Sequence, residues 1–259
     1  QELFGLYDRI SGMTGTATSA ACELLSVYQL PVYRIPTHRK VRREERPPLV
    51  LESSDARWQA VADEVREITT SGRPVLIGTR TIAQSEQLSS LLTDAGLEHE
   101  VLNARNHALE AEIVAEAGHP GRITVATNMA GRGTDISLRG NSDELGGLHV
   151  ICSEPHAAAR IDRQLAGRCS RQGDPGSFRQ FMSLEDAVLR EGLNESKVDS
   201  MWRSASTRFN APMLASRFRR AQRSLERQHE QERQMLLAQA RMRASQLVQL
   251  GQDPWLDAV

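Results

Sequence analysis

Three short stretches carry side chains that could do chemistry. The first is Gly131-Arg132-Gly133-Thr134-Asp135, a glycine-bearing loop that ends in an acid, directly after the strand-like run Ile123-Thr124-Val125-Ala126. Glycines let a backbone approach closely and take φ > 0, and in an α/β sheet ligands sit beyond the carboxyl ends of strands. Arg, Thr and Asp at such an end could reach a nucleotide and a neighbouring domain together, although a bare GxGxD also fits an ordinary strand-to-loop turn. The second stretch is QLAGRCSRQGDPG, Gln164 to Gly176, with Arg168 and Arg171 three apart. On a helical turn they project from nearly the same face, and two guanidiniums there repel unless something anionic sits opposite. That partner is either the triphosphate of a phosphoryl transfer, where an arginine finger is worth roughly 10³–10⁵ in rate, or a carboxylate such as Asp162 or Asp174 or a neighbouring one. The third is Gly78-Thr79-Arg80. All three are expected at carboxyl ends of strands.

What is missing narrows the chemistry. No GxxxxGK[ST] phosphate loop occurs, and of 32 basic residues only Lys40 and Lys197 are lysines. No lysine therefore sits in a glycine-rich loop to hold β- and γ-phosphates. The acidic pairs Asp143-Glu144 and Glu185-Asp186 fall in polar or helical context and do not follow a strand. No metal ligands are assigned. The chain is expected to supply one wall of a nucleotide site.

The elements that must position these stretches alternate. Leu49 to Leu51, Pro74 to Gly78, Val101-Leu102, Ile123 to Ala126, Gly147 to Cys152 and Ser177 to Met182 read as strands. Between them Asp55 to Thr69, Ser85 to Ala95, Leu109 to Ala117 and Ala158 to Ala166 read as helices. That alternation argues a parallel sheet covered on both faces, with right-handed crossovers. Upstream, Ser11 to Ala17 makes a tight Gly/Thr loop, and a helix over Ala20 to Tyr28 has Ser/Thr in capping range. A strand is expected at Val32 to Ile35, then a basic connector from Thr37 to Pro48 that is either a solvated linker or an interdomain contact. Downstream, Glu185 to Trp202 reads as short helices. From about Leu214 to Leu250 runs one long helix with an apolar stripe at Leu214, Phe218, Ala221 and Leu225, either packed on its own domain or offering a docking face.

The 259 residues are 39% apolar and 4% aromatic with net charge -1. This suits a globular protein with a core and gives no bulk electrostatic pull on nucleic acid or membranes. Cys22, Cys152 and Cys169 are widely spaced without a metal-ligand pattern, which fits small buried residues in a reducing compartment. No apolar run nears 18 residues and no secretory leader is visible. The chain opens with Gln1 in what reads as the middle of a domain, so a fragment is expected.

Several runs together resemble the SecA family, the ATP-driven motors of bacterial preprotein translocation. They are ISGMTGTA (Ile10 to Ala17), PVLIGTRTIAQSE (Pro74 to Glu86) and HALEAEIVAEAGHPGRITVATNMAGRGTDI (His107 to Ile136), followed by GGLHVI (Gly146 to Ile151), ARIDRQLAGR and RQGDPGS (Ala159 to Ser177) and AQRSLERQ (Ala221 to Gln228). Superfamily-2 helicase motifs IV, V and VI stand in order, and the NMAGRGTDI run is highly specific. The fold implied is α/β: a RecA-like parallel sheet with helices on both faces, the P-loop NTPase superfamily-2 helicase C-terminal lobe, followed by a long α-helical segment. The resemblance divides the chain into an interlobe segment at 1–31, a second nucleotide-binding domain at 32–183 and a helical scaffold-like segment at 184–259.

By the same resemblance the cofactor is ATP, with Mg supplied at a first lobe absent from this chain. Asp135 matches the nucleotide-contacting acid of motif V, beside Gly133 and Thr134, and Arg132 matches the arginine that couples the lobes. Arg168 and Arg171 match the motif VI arginines, one of them a finger. Partners implied are the first nucleotide-binding lobe, an unfolded preprotein and a SecYEG-type membrane channel, with room for a homodimer and a cytoplasmic location, peripheral at the inner face of the plasma membrane. The chain departs from the family where Cys169-Ser170 replaces the usual glycine-bearing spacer, which matters if that backbone needs φ > 0. It departs again at Pro155 and at the apolar run Ala157 to Ala159. Two other readings stay open: a nucleic-acid helicase or remodelling ATPase lobe, against which the balanced charge and few aromatics count, and a non-catalytic scaffold module.

Overall fold

The computed structural model describes residues 4, 7–102, 110–127, 134–193, 196, 198, 201 and 211–250. After a 3-10 turn at Ala17–Ala20 come α1 (Ala21–Tyr28), β1 (Arg42–Glu45), β2 (Leu49–Leu51), α2 (Ser54–Thr70), β3 (Val75–Thr79) and α3 (Ile82–Asp94). Then follow β4 (Glu100–Leu102), α4 (Glu110–Glu116), β5 (Ile123–Thr127), β6 (Leu148–Cys152), α5 (Ala159–Ala166), β7 (Pro175–Ser183), α6 (Ala187–Gly192) and a 39-residue helix, α7 (Ala211–Gln249).

Seven parallel strands form one sheet in the order β1-β7-β6-β3-β5-β4, with β2 also paired to β7. Register follows the apolar alternation. Val75, Ile77, Ile123, Val125, Ile151 and Phe181 turn to the face covered by α2 and α3, where Trp58, Val61, Val65, Leu88 and Leu92 meet them. Their neighbours Leu76, Ala126, Leu148 and Val150 turn the other way, onto Val114 and Ala117 near α4 and onto Cys169 beyond α5. Because side chains alternate faces along a strand, both faces are apolar, as a doubly covered parallel sheet demands. A third cluster joins the end of β7 to α6 and the first half of α7 through Met182, Leu184, Val188, Leu189, Leu214, Phe218, Ala221 and Leu225. After Leu225 no described residue of α7 is buried. Among the described residues no helix is long and apolar enough to cross a membrane.

Several expectations are corrected. No strand forms at Val32 to Ile35; Tyr33 and Ile35 are 83% and 85% exposed. Pro31 and Pro36 bracket that segment and cannot donate to a ladder. The strand is instead Arg42–Glu45, inside the stretch read as a connector, pairing Arg42 with Pro175 and Glu45 with Phe178. Arg42, Glu44 and Glu45 are exposed at a sheet edge, where charge discourages edge-to-edge pairing, while Arg43 is half-buried. α3 starts three residues earlier than Ser85, because Thr81 caps it by accepting the Gln84 N–H at 3.2 Å. α1 has Ala20 as its cap with no side-chain hydrogen bond, the chain entering through the 3-10 turn instead. Cys152 and Cys169 are buried, but Cys22 is exposed.

Candidate functional site

α5 brings the arginines to their place. It crosses the sheet with Leu165 seated over Gly78 of β3, where any Cβ would run into the Leu165 side chain. The helix ends at Gly167, so Arg168 and Arg171 follow it and do not lie within a helical turn as their spacing implied. Between them Cys169 is buried, its Sγ 3.2 Å from Ala166 O, and burial pushes its thiol up to about 11. Ser170 takes φ 59° and Gln172 φ 54°, both left-handed, so the backbone needs the positive φ that a glycine spacer would give cheaply. The buried Ser170 hydroxyl has no hydrogen-bond partner among the described residues and faces Gly176, where a Cβ would come within 2.9 Å of it.

Both guanidiniums turn onto the segment that follows the glycine loop. Arg171 donates through Nη1 to Asp135 Oδ1 at 2.5 Å and through Nε to Gly167 O at 3.1 Å. Arg168 donates through Nη1 to Thr134 O at 3.2 Å. The carboxylate opposite Arg171 is therefore Asp135, not Asp162 or Asp174. Asp162 instead takes the His156 backbone N–H at 3.0 Å and the Gln180 and Gln222 amides at 3.2 and 2.6 Å. These bonds, with the His156 ring 2.6 Å away, fill both oxygens, so the buried Cys152–His156–Asp162 cluster is a hydrogen-bonded junction. Burial drives the Cys152 thiol well above its ordinary range.

The four residues Thr134, Asp135, Arg168 and Arg171 thus come together, while Arg132 and Gly133 lie outside the described residues. Their place differs from the expectation. The arginine loop precedes β7, so it stands toward the amino end of that strand and not beyond a carboxyl end. By Ser137 the chain has returned to the same side, its backbone oxygen against Gly118, which precedes β5. The third stretch does not join them. Thr79 is fully buried, and Arg80 pairs with Glu154 at 2.5 Å, at the carboxyl ends of β3 and β6.

A groove of about 570 Å³ opens beside the arginines, lined by Thr16, Arg43, Thr127, Arg163, Arg168 and Arg171 over an apolar floor that includes Leu76 and Ile136. Sequence reasoning missed part of this wall. Gln164 reaches Thr16 at 3.2 Å and Arg163 reaches Ser19 at 2.7 Å, so the Gly/Thr loop lies across α5. Arg43 enters from the edge strand, with Nη1 3.4 Å from Ala166 O. The Gly/Thr composition of Ser11 to Ala17 was the only signal for this contact.

A parallel sheet with helices on both faces, followed by one long helix, makes the fold that of a RecA-like lobe. The family model described as the SecA P-loop domain matches residues 40–145 and 141–208, and the chain belongs to the SecA family. It is 50% identical over 258 residues to the protein translocase subunit SecA 2 of Rhodopirellula baltica, covering 99% of this chain and 39% of that protein. It is 53% identical over 194 residues to the protein translocase subunit SecA 2 of Magnetococcus marinus, covering 75% of this chain and 30% of that one. The chain spans well under half the length of these relatives. Among solved structures, the E. coli DEAD-box protein SrmB bound to the regulator of ribonuclease activity A aligns at TM-score 0.47 and 17% identity, over 58% of this chain and 82% of that one.

Proposed function

We propose that this chain is the second motor lobe of a SecA-type ATPase, coupling ATP binding and hydrolysis to protein translocation. Its Thr134 and Asp135 contact the nucleotide, with Arg132 and Gly133 assigned to the same role by the family motif, Arg168 and Arg171 meet the phosphates, and a first lobe supplies the phosphate loop and Mg. Residues 32–183 form the lobe, 1–31 the link to its partner and 184–259 the start of a helical scaffold. The preprotein and a SecYEG-type channel are the further partners, which puts the assembly at the inner face of the plasma membrane. The observation that carries this reading is the convergence of Arg168 on Thr134 and of Arg171 on Asp135, 34 and 36 residues upstream in the chain, at the lip of a groove lined with arginines. In the ground state Asp135 occupies Arg171; a triphosphate, with more charge, would take its place.

The test mixes this chain with a separately expressed SecA-type first lobe. Neither lobe alone should hydrolyse ATP, the mixture should, and Arg171→Ala should lower its turnover by roughly 10³-fold or more. Equal turnover by the alanine version would remove the arginine from the mechanism. Association without hydrolysis would favour a scaffold role.

A further inference from the structure

We infer that Glu226 and Gln222 of α7 are positioning residues for the arginine loop: α7 supplies the N-terminal cap that α5 lacks. The inference rests on the groove being an ATP half-site.

α5 has only eight residues, and its cap position is Ala158, extended at φ -115° and ψ 119°, with no side chain able to accept a hydrogen bond. The first four N–H groups of a helix have no partner within it, so in so short a helix about half the amides look outward. Glu226 answers this from another element. Its Oε1 accepts the Ala159 N–H at 2.9 Å, and a carboxylate there also meets the positive end of the helix dipole. One turn earlier on α7, Gln222 donates to His156 O at 2.8 Å and to Asp162 Oδ2 at 2.6 Å. Asp162 belongs to the first turn of α5, so two α7 side chains hold the start of that helix.

The other end of α5 delivers Arg168 and Arg171, about 12 Å along the axis at 1.5 Å per residue. α7 is itself anchored beside these contacts by the buried Ala221 and Leu225. A short rigid strut thus joins the turn 222–226 of the long helix to the arginine loop, and neither Glu226 nor Gln222 lines the groove. A shift of α7 moves the arginines, and by reciprocity an arginine drawn to a phosphate pulls on α7.

The experiment uses the mixed-lobe ATPase with Glu226→Ala, with the double change Glu226→Ala/Ala158→Ser, and with Arg171→Ala. Serine at 158 gives α5 a cap of its own, independent of α7, in the extended geometry a cap needs. Glu226→Ala should lower kcat by roughly three- to tenfold, as loss of one cap allows, with the KM for ATP changed less than about twofold, and Ala158→Ser should restore it. On the chain by itself, hydrogen exchange of the Gly167–Gly173 amides should speed up in the single variant and return in the double. Exchange that is unchanged by Glu226→Ala, or that Ala158→Ser leaves fast, overturns the inference. So does a loss of turnover in Arg171→Ala with none in Glu226→Ala. Intact turnover in Arg171→Ala sinks the half-site reading instead, and the exchange measurement then decides the capping role alone.

Discussion

Arg171 stands between two non-glycine residues with left-handed backbone angles, Ser170 at φ 59° and Gln172 at φ 54°. Each such residue costs roughly 1–2 kcal/mol relative to a right-handed one. The turn is maintained because it seats Cys169 in the core and points Arg171 at Asp135. Replacing Ser170 by glycine should therefore stabilise the chain, since the strain and the orphaned hydroxyl both go, partly offset by roughly 0.5–1 kcal/mol of added chain entropy. A rise in Tm of about 1–4 °C is expected by differential scanning calorimetry, with no loss of mixed-lobe ATPase. A fall in Tm would mean that the Ser170 side chain contributes packing against Gly176 beyond its cost.

At the scale of elements, the packing of α5 on β3 decides where the arginines stand. Gly78→Ala puts a Cβ into the space of the Leu165 side chain and should cost about 1–3 kcal/mol as an overpacked core does. Leu165→Ala in the same chain should recover part of that loss, a coupling that a double-mutant cycle in urea would measure. These contacts also show what could be read in the sequence. β3, β5, β6 and α2 were legible because unbroken apolar runs and helical spacing leave few alternatives. β1 was not: Arg42-Arg43-Glu44-Glu45 is a strand only because β7 offers it a backbone partner, a tertiary effect that overrides local preference. At the site, Thr134, Asp135, Arg168 and Arg171 could each be named from the sequence. Their pairing could not, because it depends on where the chain returns after the glycine loop. Glu226 was invisible as a cap, since a glutamate in a long polar helix has the same appearance whether it faces water or the end of another helix.

For the whole molecule, stability against pH depends on charges buried between layers. Burial pushes the Glu64 carboxyl up, but the His149 hydrogen bond and Arg179 outweigh it and bring it down to about 2 from 4.5. A depressed carboxylate contributes stability above its unfolded pKa and loses it as pH falls toward the folded one, so this contribution fades between about pH 4.5 and 2. Asp186 acts in the opposite sense. Burial raises it from 3.8 to about 7 despite Arg57, so its contribution is full below 3.8 and is lost as pH rises through 7. These two groups together should therefore put the stability maximum at about pH 4, where the two windows meet. Glu64→Gln should destabilise the chain at pH 6 by about 3–5 kcal/mol, as breaking a buried ion pair does, and the gap to the parent should narrow toward pH 2. A gap in urea midpoint that stays constant over that range would rule out Glu64 as the titrating group.

The pairing of β1 and β2 with β7 also sets a schedule for synthesis. Both early strands wait for the last one, as in the bond from Arg179 to Pro47, whose residues are 132 apart in the chain. At ~5–20 residues per second that interval is about 7–26 s. Through it Leu49, Val50 and the apolar face of α2 leave the ribosome with no β7 to close on. The ordering of the strands thus makes this lobe a late folder, dependent during its own birth on whatever shields a nascent chain from its neighbours. Ribosome-stalled chains ending before Pro175 should be protease-sensitive throughout residues 42–70, and chains released beyond Ser183 should become resistant there in a single step.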